Sequence, residues 1–194
     1  MFVHYFALLV YNKSYDFEIR KGVLIVDKYT DFASVYDILM GHIPYDEWAD
    51  YIENILKQHG IDRGLVLELG CGTGSMTRRM AARGYDMIGI DMSEDMLSLA
   101  RQRSEGKEDG ILYLCQDMRE FELYGTVAAI FCVCDTINYM LSSEDLSKVF
   151  RHVANYLDSG GLFIFDMDTA YLYEEVLGDN TSVMNHESVD FIWE

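Results

Sequence analysis

Glycines at positions 70, 72 and 74 directly follow the apolar run Val66-Leu67-Glu68-Leu69, and no other stretch concentrates as much chemistry. Three alternating glycines let a backbone turn sharply and lie closer to a ligand than any side chain permits. The apolar run predicts a strand buried on both faces and Met76 onward a helix, so the turn sets an amide-rich helix start against that ligand. Ser75 is the expected cap of that helix. Glu68 places a carboxylate two residues before the first glycine, where it repels a pyrophosphate and attracts an ammonium or a sulfonium. Asp91 ends the next apolar run, about twenty positions on, where an acidic side chain accepts hydrogen bonds from ribose hydroxyls. The dinucleotide fingerprint Gly-x-Gly-x-x-Gly fits less well, because the third glycine comes one residue early.

Elements of alternating type must hold these groups. Apolar runs predict strands over residues 86–90, 111–115, 127–133 and 162–167. Helices are expected over 44–59 (Trp48, Tyr51, Ile52 and Ile55 inward), 76–83, 93–103, 143–157 and 169–177. Phe32, Val35, Tyr36 and Leu39 recur at helical spacing within 27–40. Residues 182–194 read as one or two antiparallel strands. Strand and helix in alternation imply a doubly wound α/β domain, whose ligands bind outside the carboxyl ends of its strands. Gln116-Asp117-Met118, Cys134-Asp135 and Asp166-Met167-Asp168 then stand at that same edge.

Glu68 to Gly74 resembles the first motif of the class I S-adenosylmethionine-dependent methyltransferases, an acidic residue, x, Gly-x-Gly-x-Gly. Cys134-Asp-Thr-Ile-Asn-Tyr139 and Leu157-Asp-Ser-Gly-Gly-Leu-Phe-Ile-Phe-Asp166 extend the likeness, which covers 27–194. The resemblance implies a Rossmann-like, mainly parallel sheet of order 3-2-1-4-5 with an N-terminal helical cap, and S-adenosylmethionine as cofactor. It further implies that Gly70, Cys71, Gly72 and Gly74 cradle the cofactor and that Glu68 faces its amino-acid end. Asp91 would hold the ribose and Met92 pack on the adenine. Asp117 would accept from the adenine amino group, with the Met118 backbone reading the ring. Tyr36 would close near the methionine end, with Tyr29 as its rival and Tyr45 or Trp48 as acceptor-side walls, and Cys134 would adjoin the transferred methyl. Alkyl transfer from a sulfonium needs an aligned nucleophile and a dry site more than a base, so no catalytic residue is assigned and Asp135 stands only as a candidate. The implied activity is methyl transfer to an unidentified small molecule. A noncatalytic cofactor-binding protein and a nicotinamide-dependent oxidoreductase are the alternatives.

Composition narrows the partners. The 194 residues suit one domain, and 33 acidic against 15 basic side chains give a net charge of −18, which disfavours nucleic acid and anionic membrane. No apolar run is long enough to span a bilayer. Cys71, Cys115, Cys132 and Cys134 lie in or beside expected buried strands without metal-ligand spacing, which implies reduced thiols, a cytoplasmic setting and no metal site. Oligomeric state is open. Residues 1–26 form an atypical extension, with Lys13, Arg20 and Lys21 against Asp16 and Glu18 where the remainder is strongly acidic. It reads either as an extra strand or hairpin, or as a leader translated upstream of a true start at Val26. At the other end the resemblance stops before the two edge strands usual in the family, so 27–194 is expected to be a C-terminally incomplete methyltransferase domain.

Overall fold

The computed structural model describes residues 8–10, 33, 36–38, 40–105, 110–177, 182–186 and 189–193. In chain order the elements are β1 (Leu8–Val10), α1 (Tyr45–Gln58), β2 (Leu65–Leu69), α2 (Ser75–Ala82), β3 (Asp86–Asp91), α3 (Glu94–Ser104), β4 (Leu112–Cys115), β5 (Val127–Cys132), α4 (Ser143–Tyr156), β6 (Leu157–Phe165), β7 (Ser182–His186) and β8 (Val189–Trp193). Within the expected helix of 27–40, Phe32, Val35 and Leu39 lie outside the described residues, as does Tyr29.

β2, β3 and β5 are buried almost throughout, as strands with helices on both faces must be. They form a five-stranded parallel sheet of order β4-β3-β2-β5-β6, which is the expected 3-2-1-4-5. Alternate side chains divide the core. Val66, Met87, Ala129, Phe131 and Val133 face α1 and α2 through Trp48, Ile52, Leu56, Met76 and Met80. Leu67, Leu69, Ile88, Ile90, Ile130 and Cys132 face α4 and Phe121. A smaller cluster of Cys71, Leu97, Ala100 and Tyr113 seats α3. Separately, β8 lies between β1 and β7 in an antiparallel three-stranded sheet, so the tail forms two antiparallel strands where one or two were expected.

Helix ends follow local chemistry. Ser93 Oγ accepts from Met96 N at 3.4 Å and Ser142 Oγ from Asp145 N at 3.0 Å, which caps α3 and α4. Acidic residues fill both first turns, where the helix dipole favours them.

Four expectations need correction. Ser75 does not cap α2 but is its first residue, because Gly74 takes the cap position with a left-handed backbone. Tyr51 is 64% exposed, since the buried stripe of α1 runs through Trp48, Ala49, Ile52 and Leu56 instead. Cys115, at the tip of edge strand β4, is exposed rather than buried. The fifth parallel strand begins at Leu157, with no separate turn before it. Val127 pairs with Leu157 and Ala129 with Leu162, so Asp158 to Gly161 bulge out of the ladder. Gly161 is required there, because a Cβ would stand 2.9 Å from the Ala128 carbonyl.

Phe121 is fully buried against Tyr156 and His152, with ring centroids 5.3 and 5.5 Å away, and closes the α4 side of the core. Phe121→Ala is expected to destabilise the protein by about 3–5 kcal/mol in urea titration. A loss below about 1 kcal/mol would show that this ring does not close the core.

Candidate functional site

All five parallel strands present their carboxyl ends at one edge, and the residues singled out in the sequence gather there. The turn after β2 is pinned to β3 by Cys71 N donating to Ile90 O at 2.9 Å, and closes on itself through Gly74 N to Cys71 O at 2.8 Å. Gly70, Gly72 and Gly74 have φ of 69°, 52° and 73°, a region that side chains disfavour. Space matters as much as conformation. A Cβ on Gly70 would lie 2.1 Å from Thr136 Cγ2, and one on Gly74 would lie 2.5 Å from the Tyr113 hydroxyl. At Gly72 it would meet only the Tyr36 ring, 3.9 Å off. The turn is thus closely packed at Gly70 and Gly74 and open at Gly72, with Tyr36 at its rim.

Asp91 ties this turn to the tip of β3. Its Oδ2 accepts from Gly72 N at 2.8 Å and its Oδ1 from Ser93 N at 2.8 Å. Burial raises the Asp91 carboxyl above its ordinary range, and these amides oppose the shift. A carboxylate offers about four acceptor sites, so this one keeps capacity for a further hydroxyl.

Glu68 lies beneath the turn, only 4% exposed, and accepts a hydrogen bond from the Thr77 hydroxyl of α2. Burial pushes its carboxyl up to about 8, while the Thr77 hydroxyl pulls the other way. Met92 is 73% exposed at the β3 tip, so it is not core filler. Gln116 N donates to Asp91 O at 3.0 Å and brings the β4 tip alongside. There Asp117 accepts from Arg119 N at 2.8 Å and Nε at 2.9 Å, and the guanidinium holds its carboxyl below the usual range. The Met118 side chain packs into the cluster around Phe121.

The β5 tip is strained. Cys134 and Asp135 both take left-handed backbones, φ 60° and 61°, and neither is glycine. Such residues cost on the order of 1 kcal/mol or more each and persist only where neighbours hold them. Cys134 N donates to Asp166 Oδ2 at 3.0 Å, Thr136 Oγ1 to Val133 O at 2.9 Å and Asn138 N to Asp135 O at 3.0 Å. Cys134 therefore does not continue the strand face of Cys132, as a regular strand would require. Burial raises its thiol well above the ordinary cysteine value, and the Tyr45 hydroxyl opposes the shift. Burial also raises the Asp135 carboxyl, as do Asp168, with which it shares a hydrogen bond, and Asp166. Among the described residues, no group of three or more His, Cys, Asp or Glu is arranged to hold a metal ion, and no helix is long and apolar enough to cross a membrane.

Sequence reasoning missed the residues that hold Tyr36 in place. Thr73 Oγ1 donates to Asp37 Oδ1 at 2.7 Å, and Asp37 is ion-paired to Arg103 of α3. Thr136, which packs on Gly70, and Thr77, which binds Glu68, were missed too. A hydroxyl inside the glycine turn and an aspartate directly after Tyr36 were the available signals.

Glu68 gives a pH test. A carboxyl raised by folding is protonated in the native state where the unfolded chain has lost its proton. The stability from neutral Glu68 is therefore complete below about 4.5 and declines as pH rises toward about 8. Between about pH 5 and about pH 8 the urea midpoint of the wild type should fall relative to Glu68→Gln. Parallel profiles would mean that Glu68 is already ionised in the fold.

Known proteins share this architecture. The family description Methyltransferase domain matches residues 66–161. The protein named "Putative methyltransferase YqeM" from Bacillus subtilis (strain 168) is 39% identical over 167 residues, covering 86% of this chain and 66% of its own length. The crystal structure of a S-adenosylmethionine-dependent methyltransferase from Clostridium acetobutylicum ATCC 824 superposes with a TM-score of 0.75 at 31% identity, covering 86% of this chain and 68% of that one. A dTDP-3-amino-3,4,6-trideoxy-alpha-D-glucopyranose N,N-dimethyltransferase from Streptomyces venezuelae is 28% identical over 138 residues, covering 70% of this chain and 56% of its own length. The chain spans about two thirds of the length of the first two of these proteins.

Proposed function

The chain belongs to the S-adenosylmethionine-dependent methyltransferases, and from that membership we propose that it transfers the cofactor's methyl group to a small-molecule acceptor. The observation that carries this reading is the open glycine turn bound to Asp91 through the Gly72 amide. A backbone surface free of side chains lies beside a carboxylate with spare acceptor capacity, which suits a nucleoside whose ribose bonds the acid while its amino-acid end crosses the turn.

In this reading Gly70, Cys71, Gly72 and Gly74 form the floor and Tyr36 the rim. Asp91 receives the ribose hydroxyls, and exposed Met92 covers one adenine face. Asp117 and the Met118 backbone read the adenine edge. Arg119 already engages the Asp117 carboxylate, so that contact uses its remaining lone pairs. Glu68 ionises to meet the cofactor's ammonium. Cys134 stands at the methyl end, where the corner of the β5 tip keeps a dry boundary between cofactor and acceptor. The cofactor supplies an electrophilic methyl on a sulfonium, and the chain contributes alignment and exclusion of water.

We assign 27–194 to the methyltransferase domain and 1–26 to an appended segment. The cytoplasm is the proposed setting because all four cysteines are free. The net charge of −18 argues against nucleic acid as substrate.

Calorimetry with S-adenosylhomocysteine tests the reading. The wild type should bind it, and Asp91→Ala should weaken binding by about ten- to a hundredfold, the loss of one charge-assisted contact of about 1.5–3 kcal/mol. Unchanged affinity in a folded Asp91→Ala variant would remove Asp91 from the ribose site. No binding to the wild type would end the methyl-transfer reading.

A further inference from the structure

A second concavity lies next to the cofactor edge. Trp48, Tyr51 and Ile52 of α1, Val133 beyond β5, and Ile164, Phe165 and Asp166 at the end of β6 surround a cavity of about 120 Å³. Trp48, Ile52 and Val133 are buried, whereas Tyr51 and Phe165 are exposed at 64% and 39% and form the lip. The polar side-chain groups among these lining residues are the Tyr51 hydroxyl at that lip, the Trp48 indole N–H and the Asp166 carboxyl.

Location connects this cavity to the chemistry. Asp166 both lines it and accepts from Cys134 N at 3.0 Å, so its far wall is the corner at the β5 tip. Its size is near that of apolar protein cavities of about 150 Å³ that admit a benzene ring. An aromatic and aliphatic wall excludes water and favours an apolar body. A carboxylate beside an indole ring favours a cation over an anion or a neutral hydroxyl. Hydroxyl-rich acceptors are disfavoured, because the wall offers them few partners and burial without partners is costly.

We propose that this cavity is the acceptor subsite, and that it takes a primary or secondary amine carrying an apolar group about the size of one ring. The inference rests on the methyl-transfer reading and narrows its substrate class. The amine enters as an ammonium and first gives one proton to a carboxylate. Asp166, which lines the cavity, is the carboxylate placed to take it. The freed nitrogen lone pair then forms the new N–C bond as the S–C bond to the sulfonium breaks. The sulfur departs with that electron pair as a neutral thioether, and the positive charge passes to the methylated nitrogen.

Titration calorimetry on the whole chain, with S-adenosylhomocysteine present, tests this with three probes: 2-phenylethylamine, 2-phenylethanol and glucosamine. The amine should bind at least about tenfold more tightly than the alcohol of the same shape, and glucosamine should not compete with it. Asp166→Asn keeps an oxygen for the Cys134 amide but loses the charge, and should erase the preference for amine over alcohol. Ile164→Phe fills the cavity and should abolish 2-phenylethylamine binding with S-adenosylhomocysteine affinity unchanged. Should that variant fail to fold, the Asp166→Asn comparison still decides. Equal affinity for amine and alcohol, equal competition by glucosamine, or no saturable binding of the amine would overturn the inference while cofactor binding stood. Loss of wild-type S-adenosylhomocysteine binding would instead overturn the methyl-transfer reading and this inference with it.

Discussion

Two backbone amides converge on the Asp91 carboxylate, one from the glycine turn after β2 and one from the start of α3. Neighbouring parallel strands share a ladder along their length but nothing fixes their tips relative to each other beyond it. Asp91 supplies that tie, and the Cys71 amide on Ile90 O adds a second. The floor of the site therefore has one shape, set before any ligand arrives. The cost is a carboxylate partly removed from water, which the amides offset by solvating its charge.

The other wall is built on opposite terms. At the β5 tip two non-glycine residues occupy a disfavoured region, held by Asp166 and by the short helical turn Thr136–Tyr139. That turn also carries Thr136 against Gly70, so the strained wall and the relaxed floor touch. A change on one side is felt on the other through a contact that leaves no room for a methyl group. Because Asp166 directly follows β6 and reaches across to Cys134, the tips of β5 and β6 share one structural support.

Much of this was legible in the sequence. The five strands were legible as apolar runs and their order came from the family resemblance alone, while Asp91 stands at the tip where its spacing put it. What escaped has physical reasons. Tyr51 and Ile55 fit a helical stripe as well as Ala49 and Leu56 do, and only packing against β5 and β6 selects between them. The bulge at Asp158 to Gly161 was read as a turn, because two adjacent glycines indicate departure from regular structure without saying that the ladder resumes on the same strand. Thr73, Asp37 and Arg103 form a link between segments distant in sequence, and polar residues of that kind carry no periodicity. The left-handed pair Cys134-Asp135 contains no glycine and so gave no conformational signal.

The order of the strands also dictates how the chain must be assembled as it is synthesised. β2 pairs with β3, and β3 with β4, soon after leaving the ribosome, since those pairings are local and the helices between them are short. Its other edge, with Leu67 and Val66 ready to pair, waits until Val127 to Cys132 has been made. During that interval a half-sheet with an open, apolar central strand exists, and such an edge is a template for the wrong partner. Arrival of β5 ends this interval, and it brings the Thr136 turn down onto Gly70 in the same event. Nascent chains halted before β5 should therefore be the species that recruits chaperones, and the glycine turn gains its Thr136 neighbour only after that step.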